Sequence, residues 1–446
     1  MNNTSDAALA AREDAVVRKV GRRLTWFVFL LYLFAHLDRI NIGFAALSMN
    51  RDLALTATLF GMATTIFNIA YLIFDVPSNL MLAKYGARIW IPRIMITWGL
   101  ASIGTLFAVG PVSLFVARFL VGAAEAGFLA GILLYISYWY PTSARGRVTG
   151  IFLAAAPVTI AFGAPLSGLI LQMDGYFGIA GWRWLFLLEG VPSVILGVIA
   201  YFYLTDRPQS AHWLSAGEQQ LLLARIERER RQEPAAMVQT SLLKELSSPT
   251  MILLCLCNLG LVTTLSTNAV WTPLIIREMM SDASYFAVGL VTAAPALAAA
   301  VVLPFWTTHS DKRGERIWHT IAAFALAALG WICVMSSGGL PLSVAGLTLM
   351  SVGSMAAMGV FWTLPSSALS SRASPAGIAM ISMAGIVASL STPLIVGIIK
   401  DRTGSFFGGV GYGLFMLMVS IAALLVGRAT RRFGTQNWQS VPSQYK

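Results

Sequence analysis

Residues 117–147 read ARFLVGAAEAGFLAGILLYISYWYPTSARGR. The stretch holds an apolar run long enough to cross a bilayer, and inside it sit Arg118 and Glu125. A charge at the centre of a membrane helix costs at least about 3 kcal/mol on insertion scales, so a pair of them marks a functional position by default. The two are seven residues apart, close to two helical turns, and so project from one face. That face must look into protein or a water-filled cavity. This helix is expected to form one wall of a path for a polar solute and protons, with the rest of the chain as its housing.

Composition fits that housing. Of 446 residues, 57% are hydrophobic and only 11% charged, against about a quarter charged in a soluble domain. Twelve apolar segments reach spanning length, near 24–48, 57–81, 89–109, 112–140, 148–172, 183–205, 251–276, 284–308, 316–336, 340–366, 375–399 and 406–428. The sixth and seventh are separated by a long polar segment, 206–250. It contains RIERERRQE, which reads as an amphipathic or solvated helix. The expected fold is an all-α membrane protein with twelve transmembrane helices in two pseudo-symmetric six-helix bundles. The expected divisions are a tail at 1–23, a bundle at 24–205, a linker at 206–250, a bundle at 251–428 and a tail at 429–446.

The net charge is +11. With the N-terminus cytoplasmic, about 24 of the 31 Lys and Arg fall on cytoplasmic segments and about five on outer loops, leaving Arg39 and Arg118 in the spans. Both termini and the linker are therefore expected in the cytoplasm. The basic surplus is topological, and no nucleic-acid partner is implied. The first 23 residues are polar and do not resemble a signal peptide. Cys255, Cys257 and Cys333 lie in apolar runs without histidine partners, so no metal site or disulfide framework is expected.

The chain repeats itself. Lys84-Tyr-Gly-Ala-Arg-Ile-Trp90 follows the second span, and Lys312-Arg-Gly-Glu-Arg-Ile-Trp318 follows the eighth. K-x-G-x-R-I-W at equivalent loops of two six-span halves points to a transporter whose halves rock about a midplane site. Gly86 and Gly314 permit tight turns. Lys84, Arg88, Asp311, Lys312 and Arg316 are candidates for holding helix ends together on the cytoplasmic face, with Asp75, just before Pro77, as a gate or helix-cap contact.

Several further stretches resemble the major facilitator superfamily, and within it the anion:cation symporter family. They include LDRINIGFAALSMNRDL (37–53), FDVPSNLMLAKYGARIW (74–90), RFLVGAAEAGF with YWYPTSARGR, GWRWLFLLEGVPSVILG (181–197), FYLTDRP, SDKRGERIWH (310–319), FWTLP and GIIKDRTGSF (397–406). The resemblance implies proton-driven uptake of an organic anion into the cell across the inner membrane by a monomer without cofactor. It also implies that Asp38 and Glu125 take up and release protons, that Arg39 and Tyr71 contact substrate, and that Arg118 pairs with the acids. Ala130 and Ser382 depart from the family's usual proline and asparagine. A wall with fewer amides favours an aromatic or short aliphatic carboxylate, of the tartrate, phthalate, hydroxyphenylacetate or nicotinate kind, over a sugar acid.

The residue chemistry stands without the resemblance. Asp38 lies roughly 21 Å into the first span, and Glu125 at a similar depth in the fourth. A carboxylate in a low-dielectric site is driven toward its neutral form and an arginine opposes that, so an acid–arginine pair that breaks and re-forms is a proton switch. Arginine is also the natural carboxylate clamp. The seventh span is polar, with Asn258, Thr263, Thr264, Ser266, Thr267, Asn268 and Trp271, so one side is expected to line the cavity. Either hydroxyl back-bonding or lining fits each residue alone. Trp362 is a candidate for packing a flat ring. His36, His212, His309 and His319 are scattered and form no catalytic or metal motif, so a membrane-embedded enzyme is disfavoured. Proton-driven efflux or exchange of an organic acid remains the alternative.

Overall fold

The computed structural model describes residues 2–232, 246–336, 339–369 and 373–430. Segments 233–245 of the expected linker and 431–446 of the expected C-terminal tail lie outside them. Among the described residues every regular element is helical. Twelve helices are long and apolar enough to span a bilayer: Leu9–Asp52, Ala57–Tyr85, Ala87–Phe107, Pro111–Trp139, Thr142–Leu171, Gly181–Tyr203, Pro249–Met279, Tyr285–Arg313, Ile317–Met335, Gly339–Phe361, Ala376–Thr403 and Phe407–Ala429. Each coincides with one expected apolar segment. Helices are what an apolar run must form in lipid, where every backbone group needs a partner within its own segment.

Two departures from uniform helix matter. The N-terminal polar segment is helical from Asn2 to Val20 and runs into the first span through a π-helical turn at Gly21–Thr25. The fourth span is two helices, Pro111–Glu125 and Phe128–Trp139, separated at Ala126 and Gly127.

The chain forms two compact units: Met1–Asn41 with Ile66–Thr159 and Phe177–Ala235, and Ile42–Thr65 with Ile160–Tyr176 and Ala236–Lys446. In the first, the third and sixth spans pack through glycine. A Cβ on Gly99 would lie 3.0 Å from the Gly190 carbonyl oxygen, the small-residue contact that lets membrane helices approach. In the second, the far ends of the first, second and fifth spans join the six C-terminal spans. A Cβ on Gly61 would lie 2.3 Å from the Pro393 carbonyl oxygen, and one on Gly289 2.4 Å from that of Ala164.

The linker helix Ala216–Gln232 docks on the N-terminal helix through ion pairs. Lys19 Nζ meets Glu218 Oε2 at 2.8 Å, Arg225 Nη1 meets Asp14 Oδ1 at 2.6 Å, and Arg228 Nη2 meets the buried Glu13 Oε2 at 2.6 Å. Glu229 accepts from the N–H and hydroxyl of Ser143, each at 2.9 Å, which ties the same helix to the start of the fifth span.

Hydrogen bonds from the Lys19 ammonium, then from the Ser215 N–H, hold Glu218 below the ordinary glutamate range. For Glu229 burial works the other way, but the Ser143 N–H and the Arg225 guanidinium outweigh it, and it too is lowered. A depressed carboxylate stabilises docking fully above its undocked value, 4.5, and that stabilisation is lost as pH falls through the lower docked value. Spin labels at Ala11 and Gln220 should therefore give one narrow distance distribution at pH 7 and pH 5 and a broad one well below pH 4. An unchanged narrow distribution in acid would show that these ion pairs do not hold the linker helix.

Candidate functional site

The first span presents Asp38 and Arg39 in succession, about 100° apart around the helix, so they face different neighbours. Asp38 is buried. Its Oδ1 accepts from Asn41 Nδ2 at 2.8 Å and from the Ser102 hydroxyl at 2.6 Å, and its Oδ2 from the Trp98 indole N–H. Asp38 thus has three neutral donors, two of them from the third span, and among the described residues no arginine within ion-pair distance. Asn41, Trp98 and Ser102 were not legible as site residues; Trp98 and Ser102 lie four residues apart, one helical face.

Arg39 turns to the fourth span. Its Nε donates to Glu125 Oε1 at 2.5 Å, and the Glu125 side chain is only 3% exposed. The guanidinium lies 4.8 Å from the Tyr71 ring centre and 6.0 Å from that of Phe67, so Tyr71 is brought to the site from the second span. Arg118 is buried, with its guanidinium 4.5 Å from the Phe67 ring centre. Its Nε finds no hydrogen-bond partner, and among the described residues it makes no ion pair. Arg118 is not in direct contact with either acid, since Glu125 is taken by Arg39 and Asp38 by neutral donors, but both carboxylates lie within its electrostatic reach.

Local sequence explains the placement of Glu125. It is the last residue of the Pro111–Glu125 helix, immediately before the interruption. Gly127 holds φ of +86°, which a side chain resists, and a Cβ there would meet the Ser78 hydroxyl at 2.5 Å. The freed Gly127 N–H is not orphaned; it donates to Asp75 Oδ1 at 3.0 Å. Asp75 therefore caps the second half-helix from the second span. Non-helical backbone at membrane depth is tolerated where protein covers it or where it lines a cavity. Gly122 brings the second and fourth spans together, since a Cβ there would lie 2.3 Å from the Phe67 carbonyl oxygen.

The duplicated motif makes two positive-φ turns, with φ of +87° at Gly86 and +63° at Gly314. In the first copy the Arg88 N–H donates to Asp206 Oδ1 at 2.8 Å and its Nε to the Tyr201 carbonyl at 3.3 Å, while Lys84 stacks on Tyr85. In the second copy Arg316 pairs with Asp311 and donates to the Ser310 hydroxyl at 3.2 Å; Lys312 is exposed. Each copy ties neighbouring helices of its own unit.

In the second unit Asn258 is buried and donates to the Ile381 carbonyl at 2.8 Å, which fastens the seventh span to the eleventh beside Ser382. Ser382 is half-buried, and Trp362 packs on Phe361 with ring centres 5.5 Å apart. Much of the seventh span's polarity is internal: Thr264 bonds the Gly260 carbonyl, Thr267 that of Thr263, and Thr272 the Asn268 side chain. Trp271 is buried between Phe60 and Phe406. Among the described residues no three His, Cys, Asp or Glu side chains gather as metal ligands.

Comparison with known proteins places this arrangement among others. The family model of the Major Facilitator Superfamily matches residues 28–393. A protein of Agrobacterium vitis described as "Putative tartrate transporter" is 44% identical over 93% of this chain and 95% of its own length. A protein of Pseudomonas putida described as "Putative metabolite transport protein NicT" is 36% identical over 93% and 96%. A quinolone resistance transporter of Acinetobacter baumannii is 32% identical over 95% and 98%. Among solved structures, a D-xylose-proton symporter superposes with a TM-score of 0.71 over 90% of this chain and 96% of its own, at 15% identity, which speaks to fold alone.

The Gly122 contact makes a direct test of the packing beneath the site. Gly122→Ala forces a Cβ against backbone and should cost about 1–3 kcal/mol, read as a lower unfolding midpoint of the purified protein in detergent. Gly104→Ala, where a Cβ meets nothing within 4 Å, should leave the midpoint unchanged. Equal midpoints for both variants would mean the second and fourth spans are not in backbone contact.

Proposed function

The chain belongs to the Major Facilitator Superfamily and is a multi-pass membrane transporter, not an enzyme; from that premise we propose that it takes up a small organic carboxylate together with protons. The observation that carries the proposal is the Arg39–Glu125 pair, a partly exposed clamp already occupied by a buried internal carboxylate. A proton arriving on Glu125 removes its charge and releases the Arg39 fork. A substrate carboxylate then takes the vacated place, since Arg39 binds one carboxylate at a time. Loss of the proton on the other side restores the pair and ejects the anion. Asp38, held by neutral donors, is the second proton site. The distribution of Lys and Arg supports an inner-membrane orientation with both termini cytoplasmic, and the unit of transport is the monomer.

Arg118 adds a substrate preference. It and Arg39 both lie near the Phe67 ring, and among the described residues Arg118 makes no contact ion pair. Two cations, one permanently open and one opened by protonation, suit a dicarboxylate of the tartrate kind better than a monocarboxylate. The names of the Agrobacterium vitis relatives accord with that. Asn258, Trp362 and Ser382 are proposed to contribute from the other half of the chain. The turns at Gly86 and Gly314, with their basic residues, are proposed to stiffen the halves as they rock. A second reading, proton-driven efflux, is favoured by the quinolone resistance relative.

The test is external pH in a weakly buffered suspension of de-energised cells as tartrate, phthalate, hydroxyphenylacetate, nicotinate or galactonate is added. Proton symport predicts alkalinisation with one acid class and its loss, by about tenfold or more, in Glu125→Gln. Arg118→Gln should weaken a dicarboxylate more than nicotinate. Labelled uptake without any pH change would refute coupling through Glu125. Labelled acid that leaves cells under an inward proton gradient would establish efflux instead.

A further inference from the structure

Where the N-terminal helix turns into the first span, a cavity of about 1000 Å³ opens between that helix, the end of the sixth span and the start of the linker helix. Five cations line it, Arg12, Arg18, Lys19, Arg22 and Arg23, against a single acid, Glu218. Among the described residues only Lys19 of the five has an ion-pair partner, and that partner is Glu218. None of these side chains belongs to the Asp38–Glu125 site.

The cavity is built, not merely charged. The π-helical turn Gly21–Thr25 inserts an extra residue into the helix at this point, a feature that recurs at functional positions. Arg23 lies with its guanidinium 4.7 Å from the Tyr203 ring centre and 5.0 Å from that of Trp213, and the Tyr203 hydroxyl donates to the Arg23 carbonyl at 3.0 Å. Its Nε is buried without a hydrogen-bond partner. Aromatic stacking thus holds a guanidinium in place while part of its donor fork is unused. Four uncompensated cations around one cavity repel one another, and an anion with several oxygens relieves that repulsion.

We propose that this cavity binds a phosphate-bearing anion, with Arg22, Arg23 and Arg18 as its principal ligands. Phosphate has the oxygens to engage more than one guanidinium fork, which a lone carboxylate does not. Its sources are an anionic phospholipid headgroup and a free phosphate compound. The cavity's place at the start of the first span and the end of the sixth, with Tyr203 and Trp213 in its wall, is the border level at which basic pockets meet lipid headgroups.

The experiment uses the full-length protein, delipidated in a neutral detergent, with binding measured calorimetrically for short-chain phosphatidylglycerol, short-chain phosphatidylcholine and inorganic phosphate. Phosphatidylglycerol should bind, phosphatidylcholine at least about tenfold more weakly, and Arg22→Gln with Arg23→Gln should lose about tenfold or more in affinity. Arg22→Lys with Arg23→Lys should retain most of it. The single exposed variant Arg18→Gln, which leaves the aromatic wall intact, should lose about threefold. If inorganic phosphate binds with the same sensitivity to these substitutions and displaces the lipid, the source is soluble; if it does neither, the source is the headgroup. Equal affinity for the two lipids with no binding of inorganic phosphate, or phosphate-compound binding unchanged in both the double glutamine variant and Arg18→Gln, overturns the proposal.

Discussion

A half-buried arginine and a buried glutamate, paired in the middle of an apolar bundle, set the conditions that the surrounding structure meets. Neither is tolerable alone at that depth, and breaking such a pair leaves an uncompensated buried charge worth about 3–5 kcal/mol. The Arg39–Glu125 contact needs the fourth span to stop being a helix at Glu125. The stop needs a residue at ease with positive φ, supplied by Gly127. The orphaned N–H that results needs an acceptor, supplied by Asp75. The approach of the second span, which carries Asp75 and Tyr71, needs a position without a side chain, supplied by Gly122. One buried ion pair thus accounts for the small residues that crowd GAAEAGF.

Asp38 and Arg39 show how neighbouring residues in one helix are kept in separate electrostatic circuits. Their directions differ by about a quarter turn, so Asp38 is delivered to Trp98 and Ser102 while Arg39 is delivered to Glu125. One carboxylate is balanced by a full positive charge and the other by neutral dipoles. Under the proposed coupling, the first circuit changes its charge balance when a proton or a second carboxylate arrives, and the second gains or loses a proton without releasing a cation. Arg118, in contact with neither carboxylate, lies within electrostatic reach of both.

The fold was legible because membrane spans announce themselves: a run of about 20 apolar residues has few alternatives. The charged members of the site were legible for the complementary reason, since Asp38, Arg39, Arg118 and Glu125 are out of place in such runs. What could not be read was pairing and interruption. The glycines of GAAEAGF serve helix packing and helix breaking equally well in sequence, and only the approach of Asp75, fifty residues earlier, shows that Gly127 breaks the helix. The three donors around Asp38 were invisible because Trp98 and Ser102 are ordinary occupants of a span. Among the seventh span's hydroxyls, Thr264 and Thr267 bond back to their own helix and Thr263 meets Thr392, a division that sequence does not show. The N-terminal helix was missed because polar sequence carries no apolar period. It is held instead by ion pairs to the linker helix, whose partners lie about two hundred residues away.

The repeated K-x-G-x-R-I-W turns show which part of a duplicated motif physics preserves. Although Gly86 directly precedes the next helix and Gly314 is the left-handed cap of the preceding one, glycine at positive φ is common to both. The charge partners are not. The second copy carries Asp311 immediately before its lysine, and Arg316 pairs with it locally. The first copy has Ala83 at the matching position, and its arginine segment turns to Asp206, beyond the end of the sixth span. The Gly86 turn has closed so tightly on that aspartate that a Cβ would lie 2.4 Å from it. The local pair joins the eighth and ninth spans, whereas the distant one fastens the join of the second and third spans to the sixth. The same seven-residue pattern therefore fastens its turn differently in each half: the first copy reaches Asp206 beyond the sixth span, and the second pairs Arg316 with Asp311 while its Trp318 lies under Arg428 of the twelfth span.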